Sequence, residues 1–160
     1  VYKRQTQGYV VREMMPHVRI LLFFVLYCGQ FCAVKAEVAT QALLIIRSDG
    51  VHVHFDIELA NTFASRGKGL MDRYKLTPRH GMWFDFKKER QITMWMKNTT
   101  ISLDMLFVDR RGTVVYLREW TKPLSLDHIE SSVAARYVLG LNAGEISTYG
   151  LSVGDSVFLP

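Results

Sequence analysis

A short stretch in the middle of this 160-residue chain, residues 94–104, combines large apolar side chains with polar ones that could bind a ligand. Lys97 and the earlier Arg73 could hold an anionic group, while a nearby amide and carboxylate orient it. An indole and the methionine thioethers would form the walls, because small-ligand sites are mostly apolar with a few convergent polar groups. The ligand-binding residues predicted on this basis are Arg73, Trp95, Lys97, Asn98 and Asp104.

The polar residues of this stretch also have a purely structural explanation. Asn98 can cap its own turn, and Asp104 can accept hydrogen bonds from backbone amides of the segment that crosses over between two strands. Lys97 would then be solvated. Local hydrogen bonding is enough to account for an asparagine and an aspartate at turns, so both hypotheses stay open.

Two histidines form a second group that could carry chemistry. His52 and His54 are two residues apart on a predicted strand, so their rings share one face with about 6–7 Å between α-carbons. Such a pair could hold zinc or copper, with Asp56, Glu58 or His128 completing the site. An amphipathic strand also places polar residues on that face whatever their identity. A metal-dependent enzyme using this face is therefore the alternative to a binding domain.

The methionines are a third group, and the sequence offers no recognisable catalytic motif beside them. Thioethers favour Cu(I), so they could line a soft-metal site, although methionine more commonly fills gaps in a core. The sequence contains no nucleophile elbow and no glycine-rich phosphate loop. We therefore predict no catalytic residue and no cofactor, and favour a non-enzymatic role. The methionines concerned are Met71, Met82, Met94, Met96 and Met105.

The first 36 residues are typical of an export leader. Residues 20–28 form an apolar run of signal-peptide length, and Val34 and Ala36 place small residues where a signal peptidase reads. Translation from Met14 or Met15 would make this leader compact. The run is shorter than the roughly 18 residues that span a bilayer, so we expect cleavage and a periplasmic or secreted protein. The alternative is anchoring to the inner membrane by an uncleaved leader.

Removal of the leader changes what the composition implies. The whole chain carries a net charge of +5, but residues 37–160 hold 15 Lys and Arg against 14 Asp and Glu, a net charge of +1. We therefore expect no nucleic-acid partner and no membrane contact beyond an uncleaved leader; a small ligand or an envelope protein fits better. Cys28 and Cys32 both lie in the leader, so residues 37–160 can form no disulfide and no thiolate site.

Residues 37–160 are predicted to fold as one mainly β domain. The short apolar segments separated by turn signals favour a compact antiparallel β-sandwich or barrel with one or two short helices. Residues 87–90 are predicted to be an exposed turn, and residues 97–103 a crossover. The predicted strands are 42–46, 51–59, 82–86, 91–96, 104–108, 113–120, 135–141 and 156–159, and the predicted helices are 63–70 and a shorter one, capped by Asn142, that ends at Tyr149.

Several short motifs along the chain resemble one protein family, the domain-of-unknown-function family 192 (DUF 192), over about residues 50–159. That resemblance implies a compact β-rich domain that is often exported and has no established reaction. Two positions depart from the family pattern: Ser102 stands where proline is usual, and Gly140 where an acidic residue is usual. The motifs are Gly69-Leu70-Met71 with Arg73, Gly81-Met82-Trp83-Phe84, Trp95-Met96-Lys97-Asn98-Thr99, Leu103-Asp104, Phe107, Val138-Leu139, Ala143-Gly144 and Gly154-Asp155.

Overall fold

The computed structural model describes residues 39–159, which form a mainly β domain with two short helices. The predicted fold class is confirmed: the strands build one curled, half-barrel sheet. The predicted leader, residues 1–36, lies outside the described residues. Within residues 39–159, no helix has both the length and the apolar character needed to cross a membrane.

Nine strands and two helices follow one another along the described part of the chain. They are β1 (Gln41–Ile46), β2 (His52–Ala60), α1 (Phe63–Lys68), β3 (His80–Arg90), β4 (Thr93–Met94), β5 (Leu103–Val108), β6 (Val114–Arg118), β7 (Ile129–Glu130), β8 (Ala135–Asn142), α2 (Glu145–Tyr149) and β9 (Ser156–Phe158).

Seven of these strands form the main sheet, in the order β6-β5-β8-β3-β2-β1-β9, while β4 and β7 pair separately. The neighbours are antiparallel, as predicted, except that β2 and β3 run parallel. A parallel pair needs a crossover connection, and here residues 61–79, including α1, provide it. An isolated bridge between Thr113 and Ser156 joins the chain at the two edge strands, so the sheet curls back on itself at one end.

Apolar side chains cover both faces of the sheet. Val53, Phe55 and Ile57 of β2 are buried, while the residues that alternate with them near the start of the strand are exposed, as the sequence pattern predicts. β5 is buried at every position, because one apolar cluster lies against each of its faces. The cluster that contains Met82, Phe84 and the rest of one face is where the chain leaves a cavity, described below.

The sequence prediction was wrong about the end of β3. Residues 87–90 are not a turn between strands, because β3 continues to Arg90 through an irregularity in its pairing with β8. Lys87 takes a positive φ of 68°, and its amide donates to the Asp85 carboxylate at 2.7 Å. Simple alternation does not reveal a bulge, since an extra residue shifts the pattern. The predicted strand 91–96 is likewise reduced to Thr93–Met94.

The two helices begin in different ways. Thr62 caps α1 as predicted, because its side chain accepts a hydrogen bond from the Ser65 amide at 3.0 Å. Asn142 does not cap α2. It stays in β8, and its side-chain amide donates to the Thr77 carbonyl at 3.2 Å. The position before α2 is Gly144, with a φ of 87° and no side chain to offer, so the acceptor for this helix comes from elsewhere in the chain.

Candidate functional site

Residues 94–104 are strung between two loops by backbone hydrogen bonds. On one side, the Asp72 amide donates to the Asn98 carbonyl at 2.8 Å. On the other, the Met96 amide donates to the Ser125 carbonyl at 3.1 Å. The stretch therefore forms a strap, fixed at both sides, over one face of the sheet.

The polar residues at the middle of this strap shape its turn. The Thr99 amide donates to the Met96 carbonyl at 3.0 Å, which closes a tight turn around Lys97 and Asn98. Asn98 has a positive φ of 52°, a conformation that asparagine tolerates better than most residues. Lys97 is exposed, with its ammonium 5.5 Å from the centroid of the Trp95 ring. Both residues thus have a local explanation.

Asp104 is completely buried and is surrounded by backbone donors. One carboxylate oxygen accepts from the Trp120 amide at 3.0 Å, and the other accepts from the amides of Gly144 at 2.9 Å and Ile146 at 3.0 Å. This carboxylate is the missing acceptor at the start of α2, where a negative charge is also favoured by the helix dipole. Its partners are not amides of the crossover, where the sequence placed them, but of two segments distant in the chain.

Arg73 is engaged by a carboxylate. Its guanidinium forms two parallel hydrogen bonds to Glu58, at 2.5 and 2.6 Å. The side-chain hydrogen bond with Glu58, helped by the opposite charge and opposed by burial, raises the pKa of Arg73 above its ordinary value. Arg73 therefore remains charged at all accessible pH values, with its charge matched within the protein.

The histidine face of β2 is exposed, and the structure adds no third ligand to it. His52 and His54 point outward as the alternation predicts. His128 lies in another part of the fold, with its Nδ1 atom 4.0 Å from Glu130. Across residues 39–159, no group of three or more His, Cys, Asp or Glu side chains is placed to hold a metal ion.

A cavity of about 310 Å³ opens beside the strap, between α1, the end of β3 and the outer faces of β5 and β8. Among the predicted ligand-binding residues, Trp95 lines it. Arg73, Lys97, Asn98 and Asp104 do not, so the predicted grouping of these five side chains in one cleft is not found. The lining residues are Phe63, Arg66, Gly67, Lys68, Gly69, Leu70, Met71, Phe84, Phe86, Arg90, Thr93, Met94, Trp95, Met96, Thr99, Leu103, Met105, Val138 and Gly140.

The floor of this cavity is apolar and its rim is basic. Leu70, Met96 and Met105 on the floor are almost fully buried. The charged residues of the lining are Arg66, Lys68 and Arg90, and no aspartate or glutamate is among them. Two aromatic side chains at the rim are exposed to solvent: Phe63 by 90% and Trp95 by 47%.

The sequence analysis missed these rim residues for an identifiable reason. Arg66 and Lys68 lie in the last turn of α1, where basic residues are common for electrostatic reasons alone. Arg90 fell in the stretch that was predicted to be a turn. Met82, Phe84 and Phe86 show the alternation that points at the cavity, and extending it along β3 was the signal that could have led to Arg90.

Comparison with known proteins identifies the family. The family model of DUF192, described as Uncharacterized ACR, matches residues 44–159, and the chain belongs to this family. A solved structure from Sinorhizobium meliloti 1021, described as that of a candidate transcription regulator, is 38% identical with a TM-score of 0.75. It covers 78% of this chain and 97% of its own. No curated protein gives a significant match.

A second solved structure comes from Novosphingobium aromaticivorans DSM 12444 and is described as a protein of unknown function. It is 29% identical, has a TM-score of 0.73, and covers 78% of this chain and 89% of its own. The predicted family is thus confirmed, and these relatives assign no reaction to it.

Proposed function

We propose that this protein is a non-catalytic binding domain that takes a small, largely apolar ligand into the cavity beside residues 94–104. The observation that carries the proposal is the cavity itself. Its volume of about 310 Å³ lies within the ~300–1,000 Å³ usual for ligand sites, and its floor consists of apolar side chains. The binding role predicted for the strap is kept, but it is assigned to the apolar residues of the strap and not to its polar ones.

The methionines in the lining support a ligand site of adaptable shape. Met71, Met94, Met96 and Met105 all border the cavity. Methionine is flexible and polarisable, so a surface built from it can fit ligands of different outline. The same thioethers could bind Cu(I), the soft-metal alternative, but a basic rim repels a cation. Titration with Cu(I) under reducing conditions, which we expect to give no binding, separates the two.

We propose further that the protein acts after export, in the periplasm or outside the cell. The support is the apolar run of residues 20–28 followed by Val34 and Ala36, as in signal peptides. A nucleic-acid role, by analogy with the description of the Sinorhizobium protein, has less support. Residues 37–160 carry a net charge of only +1, whereas nucleic-acid-binding domains usually present a strongly basic surface.

The position of Gly140 allows a direct test of the site. Gly140 lines the cavity, and a Cβ atom there would lie 3.6 Å from Leu70 and 3.7 Å from Phe84, which is ordinary contact. Gly140→Leu should therefore fold while its side chain occupies the cavity. The control, Val153→Leu, adds the same type of side chain at an exposed position outside the lining.

The test measures calorimetric binding of 1-decanol, a neutral apolar probe. Wild type and Val153→Leu should bind it alike, and Gly140→Leu should bind it at least about tenfold more weakly, because part of the apolar contact area is already filled. Thermal melts confirm that each variant is folded. If folded Gly140→Leu binds decanol as tightly as wild type, the ligand does not enter this cavity.

A further inference from the structure

We infer that the ligand is an amphipathic anion of medium chain length, with its head held by Arg66 and Arg90 and its tail on the cavity floor. This inference rests on the proposed binding function and names the class of ligand. It comes from four features of the described structure: the placement of two guanidinium groups, the pairing of the nearby carboxylates, the volume of the cavity and the absence of acidic side chains from its lining.

Both arginines are held over one aromatic ring at the mouth of the cavity. The guanidinium carbons of Arg66 and Arg90 lie 5.5 and 5.4 Å from the centroid of the Phe86 ring. Arg66 is further fixed by a hydrogen bond of 2.9 Å to the backbone carbonyl of Asp85. Stacking on an aromatic face leaves the edges of a guanidinium available for planar, two-point hydrogen bonding to an anion.

No carboxylate within residues 39–159 neutralises these two arginines. Neither has a carboxylate oxygen within 4.0 Å, although every acidic side chain near them in sequence is paired elsewhere. Two positive charges held near one ring repel each other, and a bound anion would relieve that repulsion. The competing pairs are Lys68 with Asp72, Lys87 and Arg136 with Asp85, and Arg110 with Glu89.

The cavity behind this basic mouth suits an unbranched apolar tail. At about 30 Å³ for each water-sized group, a volume of 310 Å³ has room for roughly ten such groups. Gly140 contributes no side chain to the floor, which leaves depth there. The absence of aspartate and glutamate from the lining means that an anionic head meets no like charge on entry.

The experiment compares three probes with the same ten-carbon chain and different heads: decanoate, 1-decanol and decyltrimethylammonium. Calorimetric titration of wild-type protein should give decanoate at least about tenfold tighter than decanol, because charge-assisted hydrogen bonds are stronger than neutral ones. The cationic probe should bind most weakly. Raising the salt to about 1 M should weaken decanoate but not decanol, since it screens exposed charges.

The variants are Arg66→Gln, Arg90→Gln and the double variant, with Arg118→Gln as the matched control. Arg118 is an exposed arginine outside the lining. The double variant should lose the preference for decanoate and keep its affinity for decanol, while Arg118→Gln behaves as wild type. Should Arg66→Gln fail to fold, Arg66→Lys and Arg90→Gln carry the comparison. Arg90 has no side-chain hydrogen bond within the described residues to lose.

The outcomes distinguish this inference from the function on which it rests. Equal affinity for decanoate and decanol, a preference that survives the double variant, or decyltrimethylammonium bound as tightly as decanoate would each overturn the anionic ligand. In these cases the apolar cavity would still be a binding site. Failure of all three probes to bind would instead refute the proposed function and the ligand class with it.

Discussion

Asp104 offers the sharpest test of how the strap and α2 are held together. Its buried carboxylate accepts three backbone amides and donates to nothing, so both oxygens serve as acceptors. Asp104→Ala removes all three bonds at once. Asp104→Asn keeps the shape but replaces one oxygen with an amide group that has only hydrogens to offer. We expect both variants to be destabilised, the alanine variant more strongly.

The magnitude follows from the burial of each donor. The Ile146 amide is buried, so leaving it unpaired costs about 1–3 kcal/mol, whereas the amides of Trp120 and Gly144 are partly buried and each bond lost there costs about 0.5–1.5 kcal/mol. Asp104→Ala should therefore lower the free energy of unfolding by about 2–6 kcal/mol. Asp104→Asn can keep the two bonds to the start of α2 and lose the one to Trp120, at a cost of about 1–3 kcal/mol.

Urea unfolding followed by circular dichroism measures these differences directly. The matched control is Asp56→Ala, an exposed aspartate on β2 with no side-chain hydrogen bond in the described structure, which should change stability by less than about 0.5 kcal/mol. The reasoning is refuted if Asp104→Ala unfolds at the same urea concentration as wild type. It is also refuted if Asp104→Asn is the less stable of the two, since that would mean the bonds to α2 are not kept.

Three further predictions concern acid stability, chain length and export. Burial acts to raise the pKa of Asp109, but hydrogen bonds from Thr113 and Arg111 outweigh it and lower that pKa below its usual 3.8. The stability this carboxylate contributes is present above pH 3.8 and lost as the pH falls through its folded pKa. The deficit in melting temperature of Asp109→Asn at neutral pH should therefore shrink in acid; a deficit that does not change with pH contradicts this. Affinity for straight-chain carboxylates, titrated from hexanoate to tetradecanoate, should rise about fourfold per methylene (~0.8 kcal/mol) and level off when the cavity is full; a rise without a plateau would indicate an open surface. Expressed with its leader in a Gram-negative host, the protein should be recovered from the periplasm with Glu37 at its N-terminus; full-length protein confined to the cytosol would refute export.

The strand pattern was predictable where one principle governs the local sequence. The alternation of β2, the turn at Asp109 to Gly112 with its following hairpin, and the cap at Thr62 all come from short-range rules. The parallel pairing of β2 with β3 was not predictable in the same way, because it depends on the path of residues 61–79 across the sheet. The bulge at Lys87 also depends on a partner strand that lies some 50 residues further along the chain.

The candidate site was predicted in place but not in composition. Trp95 was expected to be part of it, and it lines the cavity. Arg73 was a reasonable choice of anion-binding residue, yet its pairing with Glu58 involves a strand 15 residues earlier, which sequence alone does not bring alongside it. Arg66 and Arg90 become neighbours only because α1 packs near the end of β3. Such contacts between distant segments are set by tertiary structure, so no local pattern reveals them.

The strap divides its two tasks between its polar and its apolar residues, and this explains why its most distinctive residues are not those in the cavity. Asn98 and Asp104 bind backbone atoms of neighbouring segments, which fixes the path of the strap. With that path fixed, Met96 and Leu103 are held on the cavity floor. A change at Asp104 should then weaken ligand binding only as far as it loosens the strap, whereas a change at the rim should alter selectivity and leave stability nearly intact. The polar residues of this stretch therefore set the shape of the site, and the choice of ligand falls to the basic residues that border it.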